Sequence, residues 1–231
     1  MRWLIDFLKS SIGAKMLMAI TGIGLVLFAI AHMLGNLQVF LSASTFNAYA
    51  KSLQSLGPLL WVMRGLLLAA VVIHIAAALR LAAMNRAARP VSYARKDHRV
   101  ASYAGRTMVW SGIIVFGFIA FHLAHYTLYL VTPEYKNLHD SLGRHDVYAM
   151  VVHGFSNVGL SVLYIISVGL LCAHLSHGIP SFFQSLGLRH PKYTPAIEAS
   201  GPIIAVLLFL GYAAVPVGVM AKWVTLAGGA S

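Results

Sequence analysis

Five stretches of this chain, roughly 13–40, 58–84, 106–131, 150–179 and 202–225, are apolar over 20 residues or more and almost free of charge. A helix rising about 1.5 Å per residue needs about 20 residues to cross the roughly 30 Å of a bilayer's hydrocarbon. Lipid offers nothing to a bare backbone amide or carbonyl, so a helix is the shape these runs must take. The composition agrees, with 59% of residues hydrophobic and only 10% charged, a balance that a water-soluble fold has no interior to hide. The expected fold is all-α: an integral membrane protein of five transmembrane helices, one domain over 1–231, in which spans one to four form a bundle.

Ala29-Ile30-Ala31 has the small-x-small form of a signal-peptide cleavage site, but the apolar run continues through Leu34 to Phe40, too long for a signal core. The first stretch is therefore expected to stay as a span. Cys172 is the only cysteine, which excludes a disulfide framework, a cysteine metal cluster and covalent haem attachment.

The 17 Lys and Arg residues divide unevenly between the two ends of the spans. Arg2, Lys9, Lys15, the run Arg80, Arg86, Arg89, Arg95, Lys96, Arg99 and Arg106, and Arg189 with Lys192 put twelve on one side, against five on the other. The positive-inside rule then predicts a cytoplasmic N-terminus and an external C-terminus. Basic juxtamembrane loops account for the net charge of +11 without a nucleic-acid partner.

Four histidines lie one apiece within four of the spans. His32 follows Lys15 by 17 residues and His122 follows Arg106 by 16, which places both about 25 Å from the cytoplasmic edge. His74 precedes Arg80 by six residues, about 9 Å from that edge, and His174 precedes the end of its span by a similar margin. In an up-down-up-down bundle, spans one and three face each other across the core, as do two and four. Each depth pair can then flank a flat macrocycle from opposite sides, as two bis-histidine haems require. The cofactor reading is two non-covalent b haems, with His74 and His174 as the inner iron ligands and His32 and His122 as the outer ones.

A partial repeat links spans one and three: Thr21-Gly22-Ile23, Phe28 and His32 recur as Ser111-Gly112-Ile113, Phe118 and His122 at the same spacing. Small residues of this kind also serve helix packing. His125, His177 and His153 stand as alternative ligands, haem-propionate partners or quinone contacts, and a register one turn over stays open. His98, His139, His145 and His190 are expected in solvated loops. A membrane histidine alone is equally an interhelical hydrogen-bonding residue or part of a proton path. In each ligand, the imidazole nitrogen that is not on iron is expected to find an acceptor one helical turn away.

None of the six acidic residues, Asp6, Asp97, Glu134, Asp140, Asp146 and Glu198, falls inside a predicted span, which argues against a carboxylate-relay transporter. Nucleotide-binding glycine loops, a nucleophile elbow and a zinc-protease motif are all missing from the sequence. Bond chemistry on a substrate is not expected from this chain.

Over essentially its whole length the chain resembles the single-chain cytochrome b anchor of type B succinate:quinone oxidoreductases and fumarate reductases. The marks are Ser10-Ser11-Ile12-Gly13-Ala14-Lys15, Ala31-His32-Met33-Leu34-Gly35-Asn36-Leu37, Phe46-Asn47-Ala48-Tyr49-Ala50 and, most specific, His174-Leu175-Ser176-His177-Gly178-Ile179-Pro180-Ser181-Phe182-Phe183-Gln184-Ser185-Leu186-Gly187. The resemblance favours His174 over His177 and implies the same two haem pairs. It also implies a flavoprotein that interconverts succinate and fumarate, and an iron–sulfur subunit on the cytoplasmic face. Electrons would pass through the haems to or from a membrane quinone, with menaquinone the expected one, in a bacterial cytoplasmic membrane.

Some members of that family carry a carboxylate near the outer loop or beside the span-four ligand. Here no Asp or Glu occurs between Asp6 and Asp97, and Cys172 precedes His174 by two residues. Quinone contacts are then sought among Tyr49, Lys51, Trp61 and Arg64 at one face, and Tyr93, His98 and Trp110 at the other. Span five, with Pro216 and no histidine, is expected to flank the bundle. Two other classes are weighed: the dihaem cytochrome of another membrane dehydrogenase, and a haem-free transporter or structural anchor.

Overall fold

A computed structural model describes residues 2–88 and 103–226, with side chains from 107 in the second segment. Tyr93 and His98, with the basic residues Arg89, Arg95, Lys96, Arg99 and the Arg106 side chain, lie outside that description. Eight α-helices are described: α1 (Arg2–Lys9), α2 (Ser11–Leu37), α3 (Ala43–Gln54), α4 (Pro58–Ala87), α5 (Tyr103–Tyr126), α6 (Val147–Ser156), α7 (Val158–Ser185) and α8 (Thr194–Met220). Five candidate membrane spans are carried by α2, α4, α5, α7 and α8, as the apolar runs predict. Extended pairing among the described residues is limited to one isolated bridge between His139 and His145.

Three element boundaries differ from expectation, each for a local reason. The fourth span is not continuous from 150. Asn157 adopts an extended ψ of 110° and its Oδ1 accepts from the Leu160 amide at 3.1 Å, so it caps α7 and separates α6. Helix α5 stops at Tyr126, although apolar residues continue to 131. Tyr129 takes a left-handed φ of 54°, while the Leu128 and Leu130 amides bond back to Leu123 and Ala124, a tightened helix end. Helix α8 begins eight residues before Pro202, at Thr194, with Pro195 in its first turn, where a missing amide hydrogen costs nothing. Glu198 consequently lies inside a spanning helix, contrary to the reading that every carboxylate falls outside the spans. It sits in that helix's second turn, exposed and paired with Arg189.

The chain folds as two compact units. One consists of residues 1–28, 64–113 and 172–206. Within it α8 packs closely on α7, where a Cβ at Gly201 would run into the Ser176 carbonyl and the Pro180 ring.

The other unit consists of residues 29–63, 114–171 and 207–231. Its core gathers Val39, Phe46, Val152, Phe155, Tyr164, Val215, Val219 and Val224. Asn47, 2% exposed, ties α3 to the loop before α6. Its Nδ2 donates to Asp146 Oδ1 at 2.9 Å and Asp140 Oδ2 at 3.3 Å, and its Oδ1 accepts from the Tyr148 amide at 3.0 Å. All of the buried amide's polar atoms are thus used, which is what makes the position intolerant. Asp140 also pairs with Arg144 at 2.7 Å. Partial burial raises the Asp140 pKa, but hydrogen bonds from Arg144, Leu142 and Asn47 outweigh it and hold the carboxyl below its ordinary value.

Replacing Asn47 with alanine should cost about 1–3 kcal/mol, because partners would be left unsatisfied, and should appear as a lowered melting temperature in detergent. Since the Asp140 pKa is depressed on folding, its stabilisation is complete above the ordinary carboxylate value of about 3.9. It is lost as pH falls through the lower folded value. Asp140→Asn should therefore lose less melting temperature than the parent between neutral pH and about pH 3, measured in the same detergent.

Candidate functional site

Two histidine pairs are held separately, one in each unit. His74 on α4 and His174 on α7 belong to the first unit, and His32 on α2 and His122 on α5 to the second.

In the first unit, hydrogen-bond accounting fixes the tautomer of His74. The Thr21 hydroxyl donates to the Leu17 carbonyl at 2.7 Å along its own helix. Its lone pairs face His74 Nδ1 at 3.3 Å, and the Met18 carbonyl faces the same nitrogen at 3.1 Å. Both neighbours can only accept, so His74 Nδ1 carries the proton and Nε2 keeps its lone pair. At the second ring the Ser111 hydroxyl stands 3.0 Å from the Met108 carbonyl and 2.9 Å from His174 Nδ1, and it accepts from that nitrogen when its own hydrogen goes to the carbonyl. The expected acceptors, a carbonyl and two hydroxyls, come from a neighbouring helix in each case.

In the second unit the rings of His32 and His122 have centroids 5.9 Å apart and are nearly perpendicular, at 77°. That edge-to-face separation is an ordinary one for packed aromatic rings, and it is also close to the roughly 6 Å that two imidazoles on one metal need, from two metal–nitrogen bonds of about 2.0–2.1 Å plus the distance from each nitrogen to its ring centre. Tyr212 packs on His32 at 6.1 Å and is anchored by its own hydroxyl donating to the Ala29 carbonyl at 2.7 Å. The Asn36 amide meets His32 Nε2 at 3.3 Å and has to withdraw for that nitrogen to bind a metal.

His125, one turn past His122, is a different kind of residue. It is fully buried and ringed by Phe121, Tyr126, Tyr135 and Tyr164 at centroid distances of 4.0–5.9 Å. Its Nδ1 bonds the Tyr164 hydroxyl at 3.0 Å. Aromatic rings also stand around His122, with Phe118, Tyr126 and Tyr164 at 5.9–6.1 Å, so the difference between the two histidines is one of burial and of the tyrosine bond. Tyr164 Oη also approaches His122 Nδ1 at 3.5 Å. Among the described residues, His125 Nε2 and Tyr126 Oη are the buried side-chain polar atoms without a partner.

The remaining histidines are dispersed. His177 is half-buried on α7 and His153 exposed on α6. His145 is not simply solvated. It is half-buried, with Nδ1 against the Leu138 carbonyl at 3.1 Å and Nε2 against the Tyr129 hydroxyl at 3.1 Å, which fastens the turn where α5 ends. His139 and His190 are exposed. Of the residues considered as quinone contacts, Trp61 and Trp110 are about 70% exposed and Lys51 and Arg64 are exposed. Tyr49 lies over Gly35, with its hydroxyl 2.6 Å from where a Cβ would stand, so that glycine is required for α3 to dock. The role of Thr21 and Ser111 escaped the sequence reading, although the repeat that contains them was visible in it.

Comparison with protein-family models, with curated proteins and with solved structures finds no match to this chain.

The donor chemistry is compatible with a b-type haem at each pair: two imidazoles per unit, with the His74 Nε2 lone pair left free by the accounting above and the His32 and His122 rings side by side. Tyr164→Phe should destabilise the protein by about 1–3 kcal/mol, since it strands the buried His125 Nδ1. Tyr126→Phe, which removes a hydroxyl that has no partner, should be neutral or stabilising. Thermal melts of the two variants side by side test this contrast.

Proposed function

We propose that this chain is a dihaem membrane cytochrome, the anchor and electron-transfer subunit of a succinate:quinone oxidoreductase or fumarate reductase. The observation that carries the proposal is the partition of four spanning histidines into two pairs, one per compact unit, with the His32 and His122 rings 5.9 Å apart. His74 and His174 would hold one haem, and His32 and His122 the other. A haem held by two strong axial imidazoles supplies one-electron transfer with no open coordination position.

The chain's own contribution is to hold each ring in one tautomer and one orientation and to wall off water with apolar helices. The assignment to succinate and fumarate chemistry rests on the motif from His174 to Gly187. A flavoprotein and an iron–sulfur subunit would carry that chemistry on the cytoplasmic side, with a membrane quinone as the other electron partner.

The test is an anaerobic visible spectrum of the assembly purified through this chain, first with succinate and then with dithionite. A b-type band on adding succinate supports both haem and partner. A band only with dithionite keeps the cytochrome and moves the partner toward another dehydrogenase. No band in an intact preparation overturns the reading. Within a haem-containing preparation, His122→Ala should remove about half of the haem and leave the His74/His174 site. His125→Phe should keep both, as read by haem-to-protein ratio.

A further inference from the structure

The repeat shared by the first and third spans has a structural counterpart at the other two spans. Thr21-Gly22 on α2 faces His74, and Ser111-Gly112 on α5 faces His174. In each case the hydroxyl meets Nδ1, at 3.3 and 2.9 Å, and the glycine lies under the ring edge. A Cβ at Gly22 would stand 3.3 Å from His74 Cε1, and one at Gly112 3.6 Å from His174 Cε1. The first contact is tighter than ordinary packing and the second ordinary. Each hydroxyl donates its own hydrogen to a carbonyl in the preceding turn of its own helix, which leaves only acceptor character toward the imidazole.

We propose that Thr21-Gly22 and Ser111-Gly112 are two copies of a ring seat that positions His74 and His174, with each hydroxyl holding its histidine as the Nδ1–H tautomer with Nε2 directed at iron. This rests on the dihaem reading. The two seats are unequal. His74 Nδ1 has a second acceptor, the Met18 carbonyl at 3.1 Å, whereas Ser111 is the acceptor described for His174. Losing Ser111 strands a buried N–H; losing Thr21 does not.

An accepting partner behind a metal-bound imidazole raises its basicity, and removing one typically costs about 10–100-fold in metal affinity. Lower basicity favours the reduced iron, so the potential of the affected haem rises. Ser111→Ala should lose haem from the His74/His174 site by about 10–100-fold in affinity and raise the midpoint potential of what remains. Thr21→Val should give a smaller shift of the same sign. Ser111→Thr should restore both readouts, because it returns the hydroxyl. The His32/His122 haem should keep its content and potential in all three.

The experiment is haem-to-protein ratio and an optical redox titration on the purified membrane protein, with melting temperature recorded for each variant. Ser111→Ala indistinguishable from the parent in both readouts, or changed equally at both haems, overturns the seat while leaving the dihaem cytochrome standing. A loss that Ser111→Thr fails to restore overturns it likewise. A parent without haem overturns the proposed function and the seat together.

Discussion

An imidazole inside a membrane helix has two ring nitrogens, and lipid can satisfy neither. Every other part of the arrangement follows from how those nitrogens are used. Backbone amides and carbonyls in the five spans are consumed by their own helices, so a ring must reach a side-chain hydroxyl, a carbonyl left accessible at a neighbouring helix, or a ligand. In the first unit the hydroxyls of Thr21 and Ser111 and the Met18 carbonyl take Nδ1. In the second unit the Tyr164 hydroxyl serves both His122 and His125, and the Asn36 amide meets His32.

This constraint distinguishes His125 from the four histidines proposed as ligands. His125 is the most deeply buried of them, yet aromatic rings surround it closely and a tyrosine holds it, as suits a core residue. The four candidates for iron are only half-buried within this chain. That is the condition in which a large planar group can still approach them.

The number of spans and the depth pairing of His32 with His122 and of His74 with His174 were legible in the sequence, because apolar length and charge asymmetry act along one dimension and a helix converts residue number into depth. The break at Asn157, the left-handed Tyr129 and the early start of α8 were not. Each depends on one residue's local hydrogen bonding or on a close contact such as Gly201 against α7, and an apolar window averages these away. The second acceptor for His74 was invisible for a different reason. A backbone carbonyl leaves no mark in the sequence, and Met18 as a residue type says nothing about it.

The internal repeat shows why spans one and three resemble each other while spans two and four share little beyond their histidine. Thr21 precedes His32 by eleven residues, and Ser111 precedes His122 by the same number, which is three helical turns and so the same face. Spans one and three thus each present two groups on one stripe: a histidine proposed as a ligand and a hydroxyl that meets the ring of another helix. Each even span presents only the ring that is seated. A sequence bearing two tasks on one face has fewer acceptable residues along it, and at Gly22 the constraint reaches the glycine too, since a Cβ there would stand 3.3 Å from the His74 ring. The similarity between α2 and α5 is therefore explained by shared duty at two sites, which close helix packing by itself would not require.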